Sequence, residues 1–273
     1  MSFRELVEQV RSGQATLADC CTVTYSHPVA RLVLGESLHP GGLSTTARLA
    51  DAAGIDAGCR VLDAGCGRGA SAIHLAKTRR CHVTGVTLEE EGVAAAANKA
   101  RSEGLGDLTD FRGGDLLQAD LEPEGYDVVL LECVLSILPD KALALQRLRG
   151  ALKKGGRLAF TDVTVVGPLP AKLQGILAVA GCVGDARSAA SYRDLVESQG
   201  FAVTHAENLP DAIPGLLESL KGKMMMAEIA VKLGKLPIDP ETFSRAKEVF
   251  VEVQRLAEQG TLGYGLIVAT RAD

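Results

Sequence analysis

Val61-Leu62-Asp63-Ala64-Gly65-Cys66-Gly67-Arg68-Gly69 decides the fold. A short apolar run ends in an aspartate and passes into Gly-x-Gly-x-Gly, after which Ala70 to Lys77 reads as helix. Such a run is a buried strand turning sharply into a helix. Glycine lets the backbone approach a ligand where a Cβ would clash. The helix that follows presents free N–H groups at its positive end. Alone, the pattern serves a dinucleotide, a nucleoside or only a tight turn.

The downstream context narrows it. A second strand, His82 to Val86, runs into Gly85-Val86-Thr87-Leu88-Glu89, where a ribose would lie. Gly114-Asp115-Leu116 follows a third short strand, Phe111 to Gly113. Tyr126 to Leu131 is a fourth, and Lys154-Gly155-Gly156 leads into a fifth, Arg157 to Val165. In this order, over residues 40–208, the chain resembles class I S-adenosylmethionine-dependent methyltransferases. The resemblance implies an α/β, Rossmann-like, doubly wound seven-stranded sheet and S-adenosylmethionine as cofactor. Strands alternating with helices independently imply a parallel sheet covered on both faces.

The rest of the chain fits around that core. Residues 1–55 are expected to form an N-terminal helical lid, with helices at 3–13, 29–35 and Ser44 to Ala53. In the resembling class such a layer closes over the cofactor and excludes water. The binding core is read as 56–208, with a helix at Glu90 to Glu103 ended by Gly104 and Gly106. Another helix, Asp140 to Leu152, is expected to stop at Gly155-Gly156. Ser191 to Phe201 reads as a capped helix ending at a glycine, and Ala202 to Ala206 as strand six. Residues 209–260 form a helical insertion with helices at Ala212 to Leu233 and Pro240 to Glu258, where Met224-Met225-Met226 reads as core filler. Residues 261–273 hold the final strand, Tyr264 to Thr270, which the resemblance places antiparallel beside strand five.

Composition bounds the partners. The chain has 273 residues, a net charge of −5 and no basic block, which disfavours nucleic acid. A small-molecule acceptor is the expectation. No apolar run approaches a membrane span, and the N-terminus has no signal pattern, so the chain is read as cytoplasmic. Its seven cysteines are then free thiols, ligands or catalytic groups rather than disulfides.

Within the cofactor site, Asp63 accepts from the methionine portion of the ligand, or else caps its own turn. Gly65, Gly67 and Gly69 give close backbone approach, and Cys66 reads as packing. The resembling class puts an acidic residue at the end of strand two, on the ribose hydroxyls. Here Thr87 stands there, followed by Leu88, and Glu89 is the alternative acid. By the same resemblance Asp115, between Gly114 and Leu116, takes the adenine amine, and Glu132 ends strand four on the cofactor side.

The acceptor edge is more specific. In open α/β sheets, ligands bind beyond the carboxyl ends of the strands. Glu132-Cys133-Val134-Leu135-Ser136-Ile137-Leu138-Pro139-Asp140-Lys141 follows strand four there, Thr161-Asp162-Val163 ends strand five, and Cys182-Val183-Gly184-Asp185-Ala186 follows. This combination resembles arsenite methyltransferases, which carry cysteines in matching segments. Cys20 or Cys21 lies in a segment similar to their N-terminal cysteine. Their cysteine just after the glycine loop has no counterpart, since Ala70-Ser71-Ala72 stands there. The resemblance implies Cys133, Cys182 and Cys20 or Cys21 as thiolate ligands of trivalent arsenic, which is soft and thiophilic.

Two other readings stay open. One is methylation of an organic carbon, oxygen or sulfur nucleophile, with Glu132, Asp162, His27 or Tyr25 as base or orienting group. The other is a non-catalytic thiol-rich binder of metal or metalloid. A zinc site is disfavoured, because the cysteines lack the close-spaced pairs usual in such sites.

Overall fold

The computed structural model describes residues 39–170, 183, 185–236 and 240–272, together with Gln9 and Ser12. Its elements are α1 (Gly42–Ala53), β1 (Arg60–Ala64), α2 (Ala70–Arg79), β2 (His82–Thr87), α3 (Glu90–Ser102), β3 (Thr109–Gly113), β4 (Tyr126–Glu132), α4 (Lys141–Ala151), β5 (Leu152–Val165), α5 (Ala189–Ser198), β6 (Phe201–Asn208), α6 (Ala212–Lys232), α7 (Pro240–Glu258) and β7 (Leu262–Arg271). They build a seven-stranded sheet in the order β3-β2-β1-β4-β5-β7-β6. The first five strands are parallel, and β7 runs antiparallel between β5 and β6. The order reverses between β1 and β4, which opens the crevice where ligands of such sheets sit.

Strand alternation sorts the apolar residues onto two faces. Val61, Val128, Leu130 and Val268 pack against α1, α2 and the α6–α7 pair. Leu62, Val129, Leu131 and Ala269 pack against α4 and α5, through Leu145, Leu148, Tyr192 and Val196. Burying each such Leu or Val side chain is worth about 1.5–3 kcal/mol.

Local chemistry sets the helix ends. Glu90 and Glu91 sit in the first turn of α3, and Lys99 and Arg101 in its last, each opposing the helix dipole. Asp140 caps α4 by accepting from Leu143 N at 2.9 Å. Ser188 caps α5 by accepting from Ser191 N at 3.1 Å. The glycine loop needs small residues beneath it, and α3 supplies them. A Cβ at Gly92 would meet the Gly67 carbonyl oxygen at 2.8 Å.

Two expectations are corrected. Leu152 begins β5 rather than ending α4, and the strand runs through Lys153-Lys154-Gly155-Gly156. It does so because Leu152 pairs with Tyr126, and the register then shifts before Val128↔Arg157. The methionine cluster is not core filler. Met224 packs near Ala227 and Phe243, while Met225 and Met226 are exposed. Three consecutive helical residues point in three directions, so they cannot all face inward. No helix among the described residues is long and apolar enough to cross a membrane.

Candidate functional site

The site lies at the carboxyl ends of β1, β2 and β4. The turn after β1 is held by Val86, whose carbonyl accepts from Gly65 N at 2.8 Å and Cys66 N at 3.0 Å. Gly65, Gly67 and Gly69 all have positive φ. Their surroundings differ. A Cβ at Gly65 would lie 2.5 Å from Val134 Cγ2, and one at Gly69 would lie 2.7 Å from Ala96 Cβ. A Cβ at Gly67 would meet nothing within 4 Å. Packing thus excludes a side chain at Gly65 and Gly69, while the Cβ side of Gly67 is open. Cys66 packs over Gly85, and burial pushes its thiol well up.

Asp63, next to last in β1, is almost fully buried. The Ala72 backbone N–H donates to its carboxylate, and its Oδ2 has no hydrogen-bond partner. Burial, with the Glu132 charge beside it, pushes the Asp63 carboxyl up to about 8. A buried acceptor without a donor is costly, and an ammonium-bearing ligand is what would satisfy it. This fits the amino-acid end of the cofactor that the sequence resemblance implies.

Glu132 ends β4 on the same face of the sheet. Ser71, in the first turn of α2, donates to Glu132 Oε2. Thr46 Oγ1 of α1 donates to Oε1 at 3.0 Å. His39 Nε2 lies 3.5 Å from Oε2. Sequence reading missed Thr46, Ser71 and His39 as site residues. Among the described residues, neither Asp63 nor Glu132 pairs with a lysine or arginine.

The adenosine side is less fully built. Thr87 is buried at the end of β2, with its carbonyl accepting from Gly114 N at 2.9 Å, and Leu88 is exposed. Asp115 caps its own turn. Its Oδ1 accepts from Leu117 N at 2.9 Å and its Oδ2 from the Gln118 amide at 3.2 Å. Each carboxylate oxygen retains room for one further donor. Leu116 is buried in the same core cluster as Val86 and Tyr126.

Cys133 follows Glu132 with φ +55, a left-handed conformation unusual for a non-glycine residue. The turn breaks the strand alternation, so Glu132 and Cys133 both face the α1–α2 layer. Cys133 Sγ lies 3.3 Å from the Tyr264 hydroxyl, and that hydroxyl donates to Thr161 Oγ1 at 2.9 Å. The thiol is buried.

The loop beyond is pinned from two sides. Asp162 Oδ2 accepts from Ser136 N at 2.8 Å, and burial pushes its carboxyl up to about 6. Lys141 Nζ donates to Leu138 O at 2.9 Å, Ser136 O at 3.1 Å and Asp185 Oδ2 at 2.5 Å. Asp162 therefore already has donors of its own. Cys20, Cys21, Cys182, Tyr25 and His27 lie outside the described residues. Among the described residues, no three metal-ligating side chains converge.

Known proteins resemble this chain in sequence and in fold. The methyltransferase domain family matches residues 55–200, more than half of the chain. The chain is 33% identical over 132 residues to an uncharacterized protein of Haemophilus influenzae, covering 48% of this chain and 53% of that one. It is 27% identical over 243 residues to the 27-O-demethylrifamycin SV methyltransferase of Amycolatopsis mediterranei, covering 84% and 83% of the two chains. It is 35% identical over 115 residues to the arsenite methyltransferase of Mus musculus, covering 38% of this chain and 31% of that enzyme. Its fold matches Haemonchus contortus phosphoethanolamine N-methyltransferase 2 in complex with S-adenosyl-L-methionine. The TM-score is 0.77 at 18% identity, over 95% of this chain and 60% of that one.

Proposed function

This chain belongs to the methyltransferase domain family as a class I S-adenosylmethionine-dependent methyltransferase, and from that premise we propose that its acceptor is trivalent arsenic held by thiolates, Cys133 among them. The observation that carries this reading is the left-handed turn at Cys133, at the carboxyl end of β4. Non-glycine residues in that conformation cluster at functional sites. The stretch of likeness to a mammalian arsenite methyltransferase supports the same acceptor.

When bound, S-adenosylmethionine supplies an electrophilic methyl group. The chain's own residues hold and orient. Asp63 takes the ligand's ammonium, the backbone at Gly67 allows close approach, and Thr87 and Asp115 hold the ribose and adenine. Glu132, through Ser71 and Thr46, ties α1 and α2 over the β1–β4 crevice and shuts out water. A thiolate-bound arsenic has a lone pair and no proton to lose, so no general base is required. Positioning carries the catalysis.

The test is turnover to S-adenosylhomocysteine with excess thiol, with and without arsenite, for wild type and Cys133→Ser. Arsenite-dependent turnover that disappears in the variant supports the thiolate acceptor site. Turnover that ignores arsenite removes it. A second reading, an organic nucleophile, is favoured by the likeness over 84% of this chain to a 27-O-demethylrifamycin SV methyltransferase and by the burial of Cys133 against Tyr264. It predicts that Cys133→Ser leaves turnover of the organic acceptor intact.

A further inference from the structure

Methyl transfer changes the charge of the donor. The acceptor's lone pair forms the bond to the methyl carbon, the carbon–sulfur bond breaks, and its electron pair returns to sulfur. A sulfonium becomes a neutral thioether, so the by-product carries one positive charge fewer than the donor. A protein that senses this charge binds the two molecules differently, even though their shapes are nearly the same.

Two buried carboxylates face this crevice, and among the described residues neither has a lysine or arginine partner. Asp63 is next to last in the strand whose glycine turn holds the ligand's amino-acid end. That end is common to donor and by-product. Glu132 ends the neighbouring strand, directly before Cys133, where the methyl group must meet an acceptor. The Glu132 side chain is 5% exposed. Its strongest donors are hydroxyls, from Ser71 and Thr46, and the third neighbour, His39 Nε2 at 3.5 Å, adds a positive charge only when protonated. Neutral donors stabilise a carboxylate without cancelling its charge. That charge therefore acts through low-dielectric surroundings on whatever cation enters.

We propose that Glu132 is a specificity-determining residue, one that makes the site prefer the cationic methyl donor over its neutral by-product. The proposal rests on reading the β1–β4 crevice as the cofactor site. It makes Glu132 a sensor of the reaction's progress. The attraction it exerts on the donor is withdrawn when the methyl group leaves, and by-product release is eased. The link to Thr46 joins this event to α1, which packs beside α2 on that face of the sheet.

The experiment is equilibrium calorimetry with S-adenosylmethionine, S-adenosylhomocysteine and sinefungin, whose amine replaces the sulfonium. Glu132→Gln keeps an acceptor for Ser71 or Thr46 and removes the charge. The expected result is a loss of about tenfold or more in affinity for both cationic ligands, with S-adenosylhomocysteine changing by less than about threefold. An equal loss for all three, or no loss for any, overturns the proposal. Glu132→Met repeats the test if the glutamine variant fails to fold. The Thr46 and Ser71 hydroxyls lie 3.3 Å apart and can then pair with each other. Asp63→Asn separates the two levels of the reading. It should weaken all three ligands alike, and if it weakens none, the crevice is not the cofactor site and the role of Glu132 falls with it.

Discussion

The Cys133 thiol lies 3.3 Å from the Tyr264 hydroxyl, across the gap between the end of β4 and the inserted strand β7. With Tyr264 donating to Thr161, the S–H is left to donate to the tyrosine oxygen. Burial pushes the Tyr264 hydroxyl well up, so it stays neutral at any working pH. Tyr264→Phe removes the centre of this chain and strands Thr161 in the core. The expected cost is about 1–3 kcal/mol, read as a lower urea midpoint with unchanged slope. An unchanged midpoint means that the three groups do not form a continuous chain.

Asp63 gives the stability of the ligand-free protein a distinctive pH dependence. Its carboxyl is raised from the ordinary 3.8 to about 8 by burial and by Glu132. The groups facing it are Glu132, the Cys66 thiol and the Ala72 N–H. Between those values the folded state holds a proton that the unfolded chain has lost, so stability falls as pH rises. Asp162, raised to about 6, adds a slope of the same sign below pH 6. From about pH 6.5 to about 8 the slope is set chiefly by Asp63, at up to about 1.4 kcal/mol per pH unit, while His74, held below its ordinary 6.5 by burial, works in the opposite sense below that interval. Asp63→Asn should flatten the curve there, as read by denaturant titration across the range. In the wild type, cofactor binding at pH 7 should release up to roughly one proton, measurable as a dependence of binding heat on buffer ionisation enthalpy. Binding that takes up a proton contradicts this account.

The three loop glycines separate packing from ligand approach. Gly65→Ala and Gly69→Ala drive a methyl group into Val134 or Ala96 and should destabilise the fold by about 1–3 kcal/mol. Gly67→Ala meets no neighbour and should cost only the left-handed strain, about 1–2 kcal/mol. Yet Gly67→Ala should weaken S-adenosylmethionine binding if, as proposed, its open side is the one turned to the ligand. Thermal melts with and without the cofactor distinguish the two classes. A Gly67→Ala protein that keeps a full cofactor-induced rise in melting temperature would place the ligand elsewhere.

How much of this was legible in the sequence follows from the range of the interactions. Apolar runs and their alternation are local, so β1, β2, β4 and the last strand could be placed, while the antiparallel direction of that last strand came from the family resemblance and not from its residues. Leu152–Gly156 could not, because Lys153-Lys154-Gly155-Gly156 has turn chemistry and only the pairing of Leu152 with Tyr126 makes it strand. Asp63 stood out through its place before the glycine loop. The partners of Glu132 did not. Thr46 lies 86 residues away and Ser71 lies 61 away, and each reads alone as an ordinary helix residue. Only the stacking of α1 and α2 over the sheet brings them to one carboxylate.

Lys141 is the other feature that sequence shows only in part, since Pro139-Asp140-Lys141 is visible as a motif but its burial is not. A lysine that is 3% exposed is expensive unless every proton is used. Here the ammonium donates to Ser136 O, Leu138 O and Asp185 Oδ2. Two of the three acceptors belong to the loop that carries Val134 against Gly65 and follows Cys133. Lys141→Met leaves both carbonyls without their donor and should cost about 2–4 kcal/mol. Asp185 is 55% exposed, so Asp185→Asn should cost less than about 1 kcal/mol. The functional effect should separate in the same way. In Lys141→Met the acceptor loop is released, while Asp63 and Gly67 keep their places. Turnover should then fall at least about tenfold, with the dissociation constant for S-adenosylmethionine changing by less than about threefold. Parallel losses in turnover and cofactor affinity would show instead that the loop and the glycine turn move as one body, through the contact of Val134 with Gly65.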